Sequence, residues 1–196
     1  MADEIFAHPR LAALYDPLDP DRTDLHTYLD LARQLAAKRV LDIGCGTGVF
    51  ALLLADRGVE AVGLDPARAS IDVARAKAGS ERVRWIYGDA TNLPPLQVDL
   101  VTMTANVAQA IVTPDAWQQT LTGAREALRP GGHLVFETRD PAARAWETWN
   151  RAASHRVTLI RLEIEADLAA HGFRLREIRD APDRPGKEFV FVARGS

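Results

Sequence analysis

Residues 40–48, Val40-Leu41-Asp42-Ile43-Gly44-Cys45-Gly46-Thr47-Gly48, form an apolar, β-branched stretch that breaks into three alternating glycines. The apolar residues 49–55 then continue the chain. This order predicts a strand, a glycine loop and a helix. Glycine at alternate positions lets the backbone turn sharply after the strand and leaves no Cβ between the chain and whatever lies against it. The N–H groups of the helix point into the same space. A flat ligand can rest directly on such a backbone.

The glycine spacing separates ligand classes. A dinucleotide fingerprint needs G-x-G-x-x-G, and Val49 stands where its third glycine would be. The pattern here is G-x-G-x-G, and with Asp42 before it the stretch resembles motif I of the class I S-adenosylmethionine (SAM) dependent methyltransferases. That resemblance implies SAM as cofactor, with S-adenosylhomocysteine (SAH) as product, held by Asp42, Gly44, Cys45, Gly46 and Gly48. Asp42 supplies a negative charge suited to the cofactor's ammonium and repels a pyrophosphate.

Bulk composition narrows the remaining classes. A chain of 196 residues, 47% hydrophobic and 26% charged, is expected to form one globular domain without a metal or disulfide. Its one cysteine cannot form an intramolecular disulfide, and residues 1–5 lack the basic and apolar regions of a signal peptide, so a cytoplasmic location is expected. No apolar run approaches the roughly 20 residues that span a bilayer, so no membrane role is expected. A net charge of −3, with arginines scattered singly among acids, argues against a nucleic-acid partner.

Read in order, the chain alternates helices and strands. Residues 6–16 are apolar enough to dock, and Pro17 and Pro20 are expected to break them before a helix restarts near Thr23. Strands follow at 40–43, 60–65, 82–87, 98–104 and 133–138, separated by helical patterns. A helix from about Thr47 to Arg57 leads to Gly58 at a left-handed C′ position. Asp65 with Pro66 reads as the N-cap and first residue of a helix running to Gly79, and Thr113 with Pro114 starts another that ends at Pro130-Gly131-Gly132. Regular alternation implies right-handed βαβ units in a parallel sheet, with ligands at the carboxyl ends of the strands. Of the last two strands, residues 173–178 are polar and 188–193 are apolar, so the final strand is expected inside its predecessor and antiparallel. The expected fold class is α/β: a three-layer sandwich with a seven-stranded, mostly parallel sheet whose last strand is antiparallel, as in the resembled family.

Further stretches carry the resemblance along the chain. Asp65, beside the glycine loop at the tip of the second strand, is positioned to accept both ribose hydroxyls, and this is compatible with a capping role. Gly88-Asp89-Ala90 resembles the family's adenine-binding motif, in which Asp89 takes the exocyclic amine and a backbone N–H meets the ring. Thr104-Ala105-Asn106-Val107 ends the fourth strand, where the family contacts the methionine portion of the cofactor; Asn106 equally suits a turn cap. Tyr15 fits either a lid over the cofactor or a core tyrosine. Cys45, between two glycines, reads as a small spacer rather than a nucleophile. Arg139, Asp140 and Trp146 follow the fifth strand, and either wall a substrate pocket or serve as helix cap and core. The histidines are isolated and no metal-ligand spacing occurs.

The resemblance thus implies a single domain over 1–196, with an N-terminal helical lid at 1–37, a cofactor-binding half at 38–140 and a C-terminal half at 141–196. Relatives carry extra strands in the last part, and here only 151–162 fill that space, a shortened substrate cover. The expected activity is methyl transfer to a small-molecule acceptor; the alternative is a SAM-binding protein without turnover. The Asn/Asp-Pro-Pro-aromatic motif of DNA amine methylation is missing. No residue stands out as catalytic, and the oligomeric state is not encoded in any motif.

Overall fold

A computed structural model describes residues 4–140, 161–182 and 186–196. Two short N-terminal helices, α1 (Glu4–Ala7) and α2 (Pro9–Leu18), precede α3 (His26–Gln34). The glycine-loop unit follows as β1 (Arg39–Ile43), α4 (Val49–Asp56), β2 (Glu60–Asp65), α5 (Arg68–Ala76) and β3 (Val83–Tyr87). After β4 (Val98–Met103) come α6 (Val107–Ala110), α7 (Pro114–Ala127), β5 (Leu128–Arg139), α8 (Arg161–Ala170), β6 (Phe173–Asp180) and β7 (Glu188–Gly195).

The sheet runs β3-β2-β1-β4-β5-β7-β6, and β7 is antiparallel to both its neighbours while the other adjacent pairs are parallel. The antiparallel sense of the last strand and its place inside its predecessor are those expected from sequence. Val190, Phe191, Val192 and Ala193 are buried, so β7 takes an interior place, and the more polar β6 is left at the edge.

Period-two alternation sorts each strand's side chains into two cores. Val40, Leu100, Val135 and Val192 pack with Leu29 and Ala32 of α3 and Phe50 and Leu54 of α4. Leu41, Val101, Leu134 and Phe191 pack on the other face with Trp117 and Leu121 of α7 and Ile164 and Leu168 of α8. The Phe136 and Phe191 rings stack across β5 and β7 at 5.1 Å. No helix among the described residues is long and apolar enough to cross a membrane.

Four local expectations need correction. Pro17 does not end α2, which runs one residue further: so near the C-terminal end its missing N–H removes a single i→i−4 bond. Helix α5 starts at Arg68, not at Pro66, because the Asp65 carboxylate is drawn to the glycine loop and leaves Ala67 as the extended N-cap. The same helix stops at Ala76, and Gly79 instead turns left-handed at φ 79° before a short 3-10 turn. Strand β5 begins at Leu128, which pairs with Val98 before the register jumps to His133 opposite Leu100, so Pro130-Gly131-Gly132 forms an irregularity within the strand rather than a loop before it.

Candidate functional site

The three glycines after β1 all have positive φ, but they meet different surroundings. A Cβ on Gly44 would lie 2.5 Å from Val107 Cγ2, and one on Gly48 would lie 2.4 Å from Trp85 Cη2. Those two positions are small because α6 and the β3 indole press on the loop. A Cβ on Gly46 would meet nothing within 4 Å. Gly46 therefore forms an open floor, bounded by packed protein on both sides.

Two carboxylates border this floor. Asp65, buried at the end of β2, accepts the Gly46 N–H at 2.8 Å on Oδ2 and the Ala67 N–H at 2.7 Å on Oδ1. Burial raises its pKa, and the two backbone bonds oppose the rise. Each oxygen keeps a lone pair for a further donor. Asp42, buried in β1, accepts the Thr102 hydroxyl at 2.8 Å. Burial pushes its carboxyl up to about 7, helped by the Asp65 charge and opposed by the Thr102 bond and the Arg22 guanidinium. The Asp42 charge expected from sequence is thus only partly developed at neutral pH. Burial, with the Asp42 and Asp65 charges, drives the Cys45 thiol well above its usual range, which leaves no thiolate for nucleophilic chemistry.

The carboxyl ends of β3 and β4 complete the rim. Asp89 is exposed, and its Oδ1 accepts the Thr91 N–H at 3.0 Å. Ala90 beside it is buried against α7, where a Cβ on Gly123 would lie 1.9 Å from the Ala90 carbonyl oxygen. Thr104 and Asn106 are buried at the end of β4. Asn106 stands in a left-handed turn at φ 66°, following Ala105 at φ 54°, and caps α6 without a side-chain cap bond.

Residues 40–132 match the family described as Methyltransferase domain. The chain is 30% identical over 154 residues to a ubiquinone biosynthesis O-methyltransferase of Saccharophagus degradans, covering 71% of this chain and 64% of that protein. It spans less than two thirds of the curated relatives it matches. The whole fold superposes on the CcbJ methyltransferase of Streptomyces caelestis with TM-score 0.82 at 22% identity, covering 100% of both chains. It also superposes on the 1,6-didemethyltoxoflavin-N1-methyltransferase of Burkholderia thailandensis, solved with its substrate and SAH bound, with TM-score 0.70 at 18% identity over 100% of this chain and 92% of that one.

The N-terminal helices sit over the glycine loop. The Asp16 carboxylate of α2 accepts the Thr47 hydroxyl at 2.6 Å and pairs with Lys77 Nζ at 2.6 Å, and Ser70 Oγ donates to the Phe6 carbonyl at 3.0 Å. Tyr15 is half-buried against Phe6, with ring centroids 5.4 Å apart. Arg22 is paired with Asp24 at 3.2 Å and is close enough to bias Asp42. On the other side Arg139 pairs with the buried Glu188 at 3.3 Å and the Asp140 N–H donates to the Lys187 carbonyl at 2.6 Å, so the ends of β5 and β7 are tied together. Trp146, together with the helix expected after Asp140, lies outside the described residues.

Asp16, Arg22, Gly123 and Glu137 escaped the sequence reading. Asp16 ends the stretch read as docking and Arg22 lies in the break after it, and nothing local links either to the loop. Gly123 sits inside an ordinary helical pattern, where a glycine at a net helical cost was the one available signal.

Proposed function

We propose that this protein transfers a methyl group from SAM to a small-molecule acceptor. The observation that carries the reading is Gly46: a left-handed backbone position open above, flanked by the buried Asp65 and Asp42. Such a cradle suits a nucleoside bearing an amino acid, which has no phosphate to be repelled by two carboxylates. Asp65 would take the ribose hydroxyls on its remaining lone pairs. Asp89 and the Ala90 backbone would meet the adenine, and Asp42 with the Gly44 and Gly46 backbone would face the methionine ammonium. Arg22 brings a cation to the same end, suited to the carboxylate of that portion. Thr104 and Asn106 would border the path to the reacting methyl, and Tyr15 of α2 would cover the cofactor; α3, expected as part of the same lid, instead packs in the sheet core.

When bound, SAM supplies a methyl group on a positively charged sulfur, already a strong electrophile. The chain's own contribution is then alignment and exclusion of water. The helices at the N-terminus, held by Asp16 to Thr47 and Lys77, close the open side of the glycine loop. The β5–β7 end, where Arg139 and Asp140 are anchored, would orient the acceptor with Trp146. No residue is assigned as a base.

Calorimetry with SAH and with NADH tests the cofactor. Micromolar SAH binding, about −8 kcal/mol, is expected, with no NADH binding at millimolar concentration. A Gly46→Val protein should lose SAH binding, because the new side chain would fill the cradle and strain a backbone held at φ 54°. NADH binding that SAH fails to displace would reject the reading. A methyl-transfer screen over small acids, amines and phenols then tests turnover; tight SAH binding with no acceptor found would favour a binding protein.

A further inference from the structure

Glu137 lies near the end of β5, only 5% exposed, and links three separate elements. Its Oε1 accepts the backbone N–H of Asn106 at 2.7 Å, and its Oε2 accepts the hydroxyl of Tyr28 from α3. A carboxyl group at this depth is costly unless such bonds offset its lost hydration. What it holds is itself unfavourable. Ala105 and Asn106 are consecutive residues with side chains in the left-handed region, at φ 54° and 66°, a conformation that persists only where surrounding contacts impose it.

The turn in question leads directly into the site. Val107, the next residue, has the side-chain methyls that press on Gly44. The connected path therefore runs from Tyr28 through Glu137 to the Asn106 amide, and through Val107 to the first glycine of the cradle. We propose that Glu137 is a positioning residue, which holds the strained 105–106 turn so that Val107 seats on Gly44 and the glycine loop keeps its binding shape. This rests on the methyltransferase reading for its ligand, and on the geometry alone for the latch.

The test uses the full chain with SAH as probe, at a temperature where circular dichroism shows every variant folded. Glu137→Ala should weaken SAH binding by about tenfold, the scale on which small misplacements act, and should speed amide exchange at Asn106 and Val107. Adding Ala105→Gly to Glu137→Ala should recover part of the affinity, because glycine enters the left-handed region without a Cβ penalty. Glu137→Gln, whose amide oxygen still accepts the Asn106 N–H, should stay close to wild type. A folded Glu137→Ala that binds SAH like wild type, or a loss that Ala105→Gly leaves untouched, would overturn the proposal. Should Glu137→Ala not fold, Tyr28→Phe decides: faster exchange at Asn106 supports the latch and unchanged exchange rejects it. If wild type itself binds no SAH, the cofactor reading fails, while the exchange data still judge the latch.

Discussion

Asp42 is the residue whose chemistry depends most on its burial. With its carboxyl near 7, the ionised fraction climbs across the neutral range, and the ionised form is the one that attracts an ammonium. SAH affinity should therefore rise by roughly tenfold between pH 6 and 8, and Asp42→Asn should remove most of that dependence; calorimetry across this range checks both. Stability moves the other way. A folded-state pKa above the unfolded value means that the native protein binds the extra proton, so this group's contribution is complete below about pH 4 and falls as pH rises to about 7. Thermal melts of wild type and Asp42→Asn over that interval should converge at the acidic end. The presence of an acid after β1 was legible in the sequence; its raised pKa was not, because the burial and the Asp65 charge that raise it are supplied by other strands and helices.

At the level of elements, the contact between α7 and the 90–92 turn fixes the segment proposed to meet the adenine. Gly123→Ala would put a methyl group 1.9 Å from the Ala90 oxygen, so either helix or turn must move. A loss of about 1–3 kcal/mol, the usual cost of overpacking, is expected by denaturant titration, with weaker SAH binding in the folded variant. A second element-scale consequence lies at the far end of the sheet. His133, Arg194 and Arg174 stand directly opposite one another across β5, β7 and β6. Burial lowers the His133 pKa, and Arg194, Arg176 and Arg129 add to the shift. Arg194 and Arg174 are facing like charges, which destabilise a sheet, and Arg194 Nε also donates to the Gly131 carbonyl at 3.2 Å; Arg194→Thr should therefore raise stability by at most about 0.2–1 kcal/mol, more at low salt than at high salt, as read from denaturation midpoints at two ionic strengths.

For the whole molecule, the N-terminal helices are attached to the α/β body through few polar contacts, chiefly Asp16 with Thr47 and Lys77. Asp16→Ala should leave the melting of the sheet core nearly unchanged while making residues 4–18 more sensitive to limited proteolysis. SAH affinity should drop with it, since the lid would no longer close the loop. Intact resistance to protease together with unaltered affinity would show that Asp16 does not hold the lid.

The alternation of strands and helices and the inner, reversed last strand followed from local signals: β-branched runs, glycine and proline punctuation, and the contrast between polar 173–178 and apolar 188–193; the order of the other strands did not. Those signals are local because strand burial on two faces demands a continuous apolar run, and an edge does not. The glycine loop was legible for the same reason, since three alternating glycines have few other uses. Tertiary structure alone decided which glycine is open, where the Asp65 carboxylate turns, how Asp16 and Arg22 reach the loop, and that Glu137 meets Asn106. Each of these depends on atoms brought together from segments far apart in the chain, and no periodicity within a segment records the partner.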